Sequence, residues 1–495
     1  MKPFYAVMLA GIIGLPAIAN AGDRDINMGN ATAADLAKLI CERKITSEQV
    51  ISYSLGKIAS HPNLNAFITV EGDNALSQAR KWDLYLKKGG RCLPLGGVPI
   101  AVKDNIEVAG LPTTAGTPAL RHFIPDETAP VVQKVINAGA IIIGKTNMHE
   151  LAYGATGYNA AYHVPGITGV RNAYDSSRVA GGSSSGSAVA VAANMVSAAI
   201  GTDTGASVRQ PCALNGCVGF RPTTGRYPPS GIVPISSTRD TPGPMAHKVS
   251  DVALLDSVIT GEKLLPAIPA GQIRLGIADY FWQGLDEDVS LQAHEALNRL
   301  KAAGVQIVKV SMPGLQKTAE AVSFPVVMYE GKRELIGYLQ TRDTGVSFRA
   351  LVASIASPDV KAIFETGIVP GIVRGPDGKL VPVRTLYQNA LDKGIPHLLH
   401  IYQKAFKDNR LDAMIFPTSP IVAPLAVKGV SSPEMFSRLI HNTDPGSLIR
   451  LPGISIPVGK GKKSGMPVGL EIDALPENDA KLLAISASLE KIIND

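Results

Sequence analysis

The sequence predicts an α/β sandwich, in which helices cover the faces of a β-sheet. Short apolar runs typical of strands alternate with longer runs typical of helices, which is the pattern of layered α/β folds. The chain has 495 residues, of which 45% are hydrophobic and 18% charged, so it can bury a substantial core. Its 49 glycines and 35 prolines are spread along the sequence, which favours many short connections over a disordered region.

The first half of the chain begins with helices and then alternates strands with helices. Residues 33–59 carry helical patterns, and Thr32 stands three residues before Asp35, as an N-cap residue does before the third helical position. Strands are predicted at residues 98–102, 140–143 and 197–200, and helices at residues 130–137 and 187–196. The last of these helices is rich in alanine, which suits it to close packing.

The second half resumes the same alternation. A strand at residues 273–277 is followed by a helix at residues 288–303, which Gly304 ends. Later strands are predicted at residues 305–310, 413–416, 454–456 and 468–472, and a closing helix at residues 479–493. No internal repeat and no obvious linker interrupts this order.

The charge and the histidines exclude several functions. The formal net charge of +6 is small for this length, and no cluster of lysine and arginine with interleaved aromatic residues occurs, so nucleic acid is not predicted as a partner. His397 and His400 form an isolated pair, which is more typical of a structural role than of a metal site. We therefore predict neither a metal nor a cofactor, and the sequence leaves a homodimer open.

The first 21 residues read as a secretory signal peptide. Lys2 precedes an apolar run at residues 4–15, and Ala19-Asn20-Ala21 is a small-residue cleavage site. The alternative is an uncleaved anchor, but an apolar run broken by Pro16 is marginal for crossing a bilayer. We expect a mature domain of residues 22–495, exported to a periplasm of bacterial type or secreted, without stable membrane insertion.

The four cysteines suit an oxidising compartment but do not fix a pairing. Cys41 and Cys92 are the better disulfide candidates. Cys212 and Cys217 lie in an apolar stretch, and buried free thiols are the usual state of cysteine there.

Two serine-bearing glycine turns flank the alanine-rich helix. The first is the run GGSSSGS at residues 181–187, and the second, at residues 201–209, places Ser207 24 positions after Ser183. Two such turns can bring two serine hydroxyl groups together. In the second turn, we expect Gly201 and Gly205 to adopt backbone angles that are closed to other residues.

The second turn also predicts an oxyanion hole. Backbone N–H groups that are fixed before the reaction stabilise the negative oxygen of a tetrahedral intermediate. We expect four such groups to point into one cavity, namely those of Thr204, Gly205, Ala206 and Ser207. The pattern is that of an acyl-transfer site.

A serine hydroxyl is a weak nucleophile until a base removes its proton. Lys103 is the candidate base, because it follows directly after the apolar run of residues 95–102. Burial there disfavours the charged form of lysine and makes the neutral amine available. The alternative is a solvated surface lysine, which the apolar approach strand argues against.

The order and surroundings of these residues resemble the amidase signature family. Similar segments continue through the rest of the chain, at residues 220–226, 238–245, 417–418, 442–446 and 466–471. The resemblance implies a single domain around a large mixed β-sheet between helices, and hydrolysis of linear amide C–N bonds. It also implies a catalytic triad of Ser207 as nucleophile, Ser183 as bridging serine and Lys103 as base, with a cis peptide bond between Gly182 and Ser183.

Within that family, residues 225–228, 238–241 and 443–446 are most similar to the branch with indoleacetamide and mandelamide hydrolases. This implies a small arylacetamide-like primary amide, hydrolysed to the acid and ammonia through an acyl-enzyme. Residues 317–407 match the family least, and in related folds such inserts cover the acyl pocket. The candidate lining residues are Tyr329, Phe364 and Tyr387, and the alternative for each is an ordinary core position.

Two positions depart from the family pattern. Ser185 stands where the family usually has glycine, and Ala206 replaces the second glycine before the nucleophile. Alanine fits that turn only if its φ is negative. The triad residues themselves are all present.

Two alternatives remain beside the amidase interpretation. Residues 182–186 also satisfy the G-x-S-x-G pattern of a hydrolase nucleophile elbow, with Ser184 as nucleophile. By sequence order, its histidine would be one of His247, His294, His397, His400 and His441. The polar residues 175–180 argue against it, since an elbow follows an apolar strand. The other alternative is an exported binding or scaffold protein that keeps the fold without the chemistry.

Overall fold

One eleven-stranded mixed sheet organises the protein. The computed structural model describes residues 28–29, 31–374 and 379–494, so the predicted signal segment lies outside the described residues. The strands of this sheet and of a separate hairpin are β1 (Phe67–Val70), β2 (Pro99–Lys103), β3 (Ile141–Thr146), β4 (Ala198–Asp203), β5 (Val218–Arg221), β6 (Thr241–Ala246), β7 (Arg274–Ala278), β8 (Gln306–Val310), β9 (Ile372–Arg374), β10 (Leu380–Pro382), β11 (Ala413–Pro417), β12 (Gly453–Lys460) and β13 (Pro467–Asp473).

Helices cover the two faces of the sheet, as the predicted sandwich requires. They are α1 (Ala33–Cys41), α2 (Ser47–Ser60), α3 (Gly72–Lys87), α4 (Pro130–Asn137), α5 (Ser185–Ala192), α6 (Arg209–Asn215), α7 (Val249–Thr260), α8 (Glu287–Ala302), α9 (Leu315–Thr341), α10 (Phe348–Ser354), α11 (Pro358–Ile363), α12 (Val383–Asn389), α13 (Ile395–Asn409), α14 (Pro433–Ile440), α15 (Asp444–Leu448) and α16 (Asp479–Asn494). Among the described residues, none of these helices is both long and apolar enough to span a bilayer.

The strand order places β2 and β4 side by side near one end of the sheet. The full order is β1-β3-β2-β4-β6-β5-β12-β13-β11-β7-β8. β2 runs parallel to both β3 and β4, while β4 and β6 are antiparallel. Because parallel strands end at the same edge of a sheet, Lys103 and the residues after Asp203 emerge together.

The pleat of β2 then decides which face Lys103 occupies. Ile100 and Val102 belong to the apolar core on one face of the sheet, and Ala101 belongs to the core on the other. Side chains two residues apart share a face, so Lys103 points to the side of Ala101. That side is covered by α5, whose Ala188 belongs to the same core. The serine turn that precedes α5 is therefore brought to the lysine.

Most of the predicted elements are confirmed, with bounds that differ by a few residues. Thr32 caps α1 as expected, since its hydroxyl accepts a hydrogen bond from the N–H of Asp35 at 3.0 Å. The predicted alanine-rich helix is shorter than expected and is shifted toward its N-terminus, because α5 begins at Ser185 and ends at Ala192. No strand was predicted at β6, because its residues TPGPMA include two prolines.

Both cysteine pairs are disulfides. The Cys41–Cys92 bridge is confirmed, with Cα atoms 5.6 Å apart. The expectation of free thiols at Cys212 and Cys217 is wrong, because the end of α6 brings their Cα atoms to 4.6 Å. Gly216 ends that helix with a backbone in the left-handed region (φ 73°), which turns the chain back. Cys217 therefore faces Cys212, five positions before it.

Candidate active site

Lys103 lies at the end of β2, fully buried, and its amine contacts a serine hydroxyl. Its Nζ lies 2.8 Å from Ser183 Oγ and 2.7 Å from Thr202 Oγ1. Burial lowers the pKa of Lys103 to about 7, although Asp203 and Asp240 act in the opposite direction. A substantial fraction of this lysine is therefore neutral near neutral pH, and a neutral amine can accept a proton from Ser183.

Ser183 is fixed from several directions. The peptide bond between Gly182 and Ser183 is cis, which agrees with the expectation from the family resemblance. The N–H of Gly182 donates to Gln210 Oε1 at 2.9 Å, and the Ser183 carbonyl accepts from the N–H of His149 at 3.2 Å. These contacts hold the Ser183 hydroxyl on Lys103.

The loop after β4 is anchored through its carbonyl groups. The Thr204 carbonyl accepts from Arg239 Nε at 3.1 Å. The Gly205 carbonyl accepts from Arg209 Nη2 and from Ser447 Oγ, both at 3.2 Å. Because an arginine holds each of these two carbonyl groups inward, the loop cannot rotate freely.

The next two carbonyl groups of the loop are engaged as well. The carbonyl of Ala206 accepts from the N–H of Gln210 at 2.8 Å, and that of Ser207 accepts from the N–H of Ser184 at 3.1 Å. The second bond ties the two serine turns directly together. In contrast, no acceptor among the described residues contacts the N–H groups of Thr204, Gly205, Ala206 and Ser207. The loop thus presents donors that the protein itself does not use.

These donors border a cavity of about 100 Å³. Its walls include Gly182 and all of residues 204–207, so both serine turns reach the same space. Ser207 is 9% exposed, and no hydrogen-bond partner for its hydroxyl occurs among the described residues. The cavity therefore adjoins both the free hydroxyl of Ser207 and the loop whose N–H groups have no acceptor in the described residues.

A buried network of ion pairs lies next to the loop that carries Ser207. Asp203, the last residue of β4, pairs with Arg209 at 3.1 Å and with Arg221 at 3.0 Å. Burial alone would raise the pKa of Asp203, but the two guanidinium groups outweigh it and hold the pKa below its usual value. Arg209 also pairs with Glu471 at 2.9 Å. The network couples the loop to β13, in the middle of the sheet.

The two glycines of the second turn have a different role from the one expected. Neither Gly201 nor Gly205 has a positive φ, so the expectation of unusual backbone angles is wrong. A Cβ at Gly201 would lie 2.7 Å from Ser184 Oγ, and one at Gly205 would lie 3.0 Å from Arg239 Nη2. Both positions need glycine for close approach by a neighbouring side chain.

The two departures from the family pattern are accommodated. Ala206 does not have a positive φ, as its side chain requires. Ser185 Oγ donates to the carbonyl of Gly181 at 2.6 Å and is buried, so this hydroxyl is satisfied at the start of α5. Neither residue removes a donor from the cavity.

The insert does cover the cavity, but through other side chains than expected. Phe324, Val327 and Met328 of α9 line it together with Ile363 of α11. Positions 324, 327 and 328 share one helix face, whereas Tyr329 is turned away and stacks on Tyr387 with ring centroids 4.3 Å apart.

Tyr329, Phe364 and Tyr387 therefore do not line the cavity and belong to the core or pack against it, which was the other expectation for them. Phe364 follows Ile363 but points elsewhere, and its ring packs edge-on against Tyr153 at 5.0 Å. The sequence identified the correct insert, but not which helix faces it presents.

The nucleophile elbow is not supported by the geometry of Ser184. Its hydroxyl is fully buried, donates to the carbonyl of Thr202 at 3.1 Å and accepts from the Thr202 N–H at 3.2 Å. No contact among the described residues joins Ser184 to a histidine. Ser184 instead fastens the first turn to β4.

Several residues of the site were not identified from sequence. Thr202 shares the lysine contact, and Asn105 donates to Thr202 Oγ1 at 3.1 Å. Arg239 and Asp444 form an ion pair in the cavity wall, although they are 205 positions apart. Both lie in segments that the family resemblance had marked without a role. In the described residues, no group of three or more histidine, cysteine, aspartate or glutamate side chains is placed to hold a metal ion.

Comparison with known sequences gives one family. A family model described as Amidase matches residues 49–483. The chain is 51% identical over 464 residues to a mandelamide hydrolase of Pseudomonas putida. The aligned region covers 93% of this chain and 91% of that protein. It is 38% identical over 454 residues to an indoleacetamide hydrolase of Rhizobium radiobacter, and this alignment covers 90% of this chain and 93% of that protein.

Comparison with solved structures agrees. A peptide amidase crystallised with the competitive inhibitor chymostatin matches 93% of this chain and 97% of its own length, with a TM-score of 0.79 and 29% identity. A second crystal structure, described as an amidase, matches 93% of this chain and 99% of its own length, with a TM-score of 0.80 and 31% identity.

Proposed function

The chain belongs to the amidase signature family, in the branch with mandelamide and indoleacetamide hydrolases, and is an amide C–N hydrolase; on that premise we propose that it hydrolyses a small aryl-bearing primary amide to the acid and ammonia through an acyl-enzyme on Ser207. The observation that carries the proposal is the 2.8 Å contact between Lys103 Nζ and Ser183 Oγ, beside a cavity that Ser207 lines. The contact supports Lys103 as the base and Ser183 as the proton carrier, and the position of Ser207 in the cavity wall supports it as the nucleophile.

The reaction begins with the neutral form of Lys103. Its Nζ takes the proton of Ser183 while Ser183 Oγ takes the proton of Ser207. Ser207 Oγ then forms a bond to the carbonyl carbon of the amide. The electron pair of the C=O bond moves to the oxygen, which becomes an oxyanion.

The oxyanion needs donors that are already in place. The N–H groups of residues 204–207 have no acceptor in the described chain, and the carbonyl groups of these residues accept from Arg239, Arg209, Gln210 and Ser184. Donors fixed in this way cost no reorganisation during the reaction, and losing one typically lowers turnover by about 10²–10³-fold.

Collapse of the tetrahedral intermediate breaks the C–N bond. The proton on Lys103 returns through Ser183 to the leaving nitrogen, which departs as ammonia and leaves an ester between the acyl group and Ser207. Water then repeats the attack, giving its proton through Ser183 to Lys103. The acid is released, Ser207 regains its proton, and one amide and one water have become one acid and one ammonia.

The cavity supports an aryl-bearing acyl group. Apart from the loop amides and a few polar side chains, its walls are apolar, with side chains from α9, α11 and α14. A flat aromatic ring matches such walls through burial of apolar surface. The relatives named mandelamide hydrolase and indoleacetamide hydrolase point to the same class of substrate.

The test measures ammonia release from phenylacetamide, mandelamide and indoleacetamide, together with labelling by a fluorophosphonate probe. We expect turnover of at least one amide, and Ser207→Ala should reduce it by several orders of magnitude and abolish labelling. Ser184→Ala is the matched control, because in the described residues the Ser184 hydroxyl is hydrogen-bonded to Thr202 alone. This variant should keep far more activity.

Two outcomes would contradict the proposal. Loss of labelling in Ser184→Ala, with labelling retained in Ser207→Ala, would favour the nucleophile elbow. Absence of both labelling and ammonia release with every amide would favour a scaffold protein.

We also propose that the protein is exported. The signal pattern of residues 1–21 supports this, and two disulfides suit an oxidising compartment better than a reducing cytosol. The mature chain would then begin at Gly22, in the periplasm or outside the cell.

A further inference from the structure

The cavity wall contains one ion pair, between Arg239 and Asp444, beside the loop that carries Ser207. We propose that the carboxylate of Asp444 determines specificity by accepting a hydrogen bond from a donor on the α-carbon of the substrate, so that the preferred substrates are 2-hydroxy amides. The inference rests on the proposed function, because it assigns a substrate class to the same site.

The ion pair lies directly against the oxyanion loop. A Cβ at Gly205 would come within 3.1 Å of Asp444 Oδ1 and 3.0 Å of Arg239 Nη2. The absence of a side chain at Gly205 therefore lets the carboxylate approach the backbone of the loop that we propose as the oxyanion hole. An amide whose carbonyl oxygen is bound there would present its α-carbon to Asp444.

Each of the three guanidinium nitrogens of Arg239 donates to the protein. Its Nη2 donates to Asp444 Oδ1, its Nε to the Thr204 carbonyl at 3.1 Å, and its Nη1 to the carbonyl and hydroxyl oxygens of Ser323 at 3.4 Å. The guanidinium group also balances the charge of Asp444, so that the carboxylate does not repel an oxyanion nearby. Arg239 is thus a positioning residue.

Asp444, in contrast, keeps an unused acceptor. Its Oδ1 receives Arg239, but no donor among the described residues contacts its Oδ2. The side chain is 12% exposed and lines the cavity, so Oδ2 is open to a ligand. A carboxylate oxygen accepts hydrogen bonds and cannot donate them when ionised, so it selects ligands that carry a donor.

Much of the acyl wall offers a hydroxyl group no partner, because Phe324, Val327 and Met328 present carbon and sulfur surface. Tyr153 also lines the cavity, but its phenolic oxygen is neutral, whereas Asp444 supplies a carboxylate. A substrate hydroxyl placed beside Asp444 would be paired, whereas one turned toward the apolar wall would be buried without a partner. The carbonyl, the ring and the hydroxyl group then contact three different walls, which distinguishes the two mirror-image forms of the substrate.

The experiment compares mandelamide with phenylacetamide, which lacks only the hydroxyl group. The ratio of the two kcat/KM values does not depend on the amount of active enzyme, so partial misfolding of a variant cancels. We expect Asp444→Ala to lower the mandelamide-to-phenylacetamide ratio by about tenfold or more, the scale of a hydrogen bond to a charged group. Ser323→Ala, which removes the other side-chain partner of Arg239, is the matched control and should change the ratio less than about twofold.

An unchanged ratio in Asp444→Ala would overturn the inference and leave Asp444 as a structural partner of Arg239. The wild-type protein provides a second test that does not require a stable variant. It should hydrolyse the two enantiomers of mandelamide at different kcat/KM, and equal values would also overturn the inference. If no amide released ammonia in the wild type, the proposed function would fail instead.

Discussion

Replacing Lys103 by arginine separates a proton acceptor from a fixed positive charge. The amine of Lys103 contacts Ser183 at 2.8 Å, and burial lowers its pKa to about 7. Arginine keeps the charge but stays protonated at any working pH. If Lys103 acts as the base, Lys103→Arg should therefore be nearly as inactive as Lys103→Ala, with acylation slowed by about 10²–10⁴-fold.

The same pKa gives the expected pH profile. The neutral fraction of an amine with a pKa of about 7 is about 0.9 at pH 8, about 0.1 at pH 6 and about 0.01 at pH 5. Because only the neutral form starts the reaction, kcat/KM should be lost as the pH falls through about 7. Below that midpoint it should fall about tenfold for each pH unit.

The assay is ammonia release, or the rate of probe labelling, measured from pH 5 to 9 for the wild type and each variant. Lys145→Arg is the control, because Lys145 is also buried but pairs with Asp104 at 3.5 Å and does not contact Ser183. It should leave the midpoint near pH 7. Substantial acylation by Lys103→Arg, or a flat wild-type profile between pH 5 and 8, would refute the general-base role.

Two further predictions concern stability and processing. Asp473 and Glu471 are neighbouring buried carboxyl groups, and burial together with Glu471 raises the pKa of Asp473 well above its usual value. The folded state then holds a proton that the unfolded state releases, so this pair should cost stability as the pH rises from about 4 toward the folded-state pKa, with a limiting slope of about 1.4 kcal/mol per pH unit. Asp473→Asn should flatten that dependence in urea unfolding at pH 5, 6 and 7, and an equal slope in both proteins would contradict the assignment of the proton. The mature protein should begin at Gly22, which intact-mass measurement of the exported protein checks; a chain that keeps residues 1–21 and stays in the cytosol would contradict export.

The local parts of the site could be predicted from sequence. The run at residues 181–187, the loop before Ser207 and the apolar approach to Lys103 each carry their signal within a few residues. Adjacent parallel strands then need only the pleat of β2 to bring the lysine to Ser183. These features depend on periodicity and turn chemistry, which a single sequence contains.

The long-range parts could not be predicted. Arg239 and Asp444 meet only because separate segments converge over Gly205, and neither has a local pattern that indicates a partner. Pairing of Cys212 with Cys217 depends on how tightly α6 ends.

For the helical insert, the sequence did not show which residues face the cavity. Its cavity-facing residues, such as Phe324, are apolar like their neighbours, so composition did not show which face turns inward. The long α9 also continues through Pro325, a residue that usually ends or bends a helix.

The proposed catalytic residues and the wall around the acyl group come from different elements of the fold, which has a consequence for how new activities could evolve. The proposed base and nucleophile loop are fixed to β2 and β4, whereas much of the acyl wall comes from α9, α11 and α14. Substitutions at Val327, Met328 or Ile363 would reshape the space for the acyl group without disturbing the hydrogen bonds around Lys103. Substrate range can therefore diversify in small steps while the chemistry is inherited intact, and a library confined to those helix faces would be a suitable starting point for directed evolution.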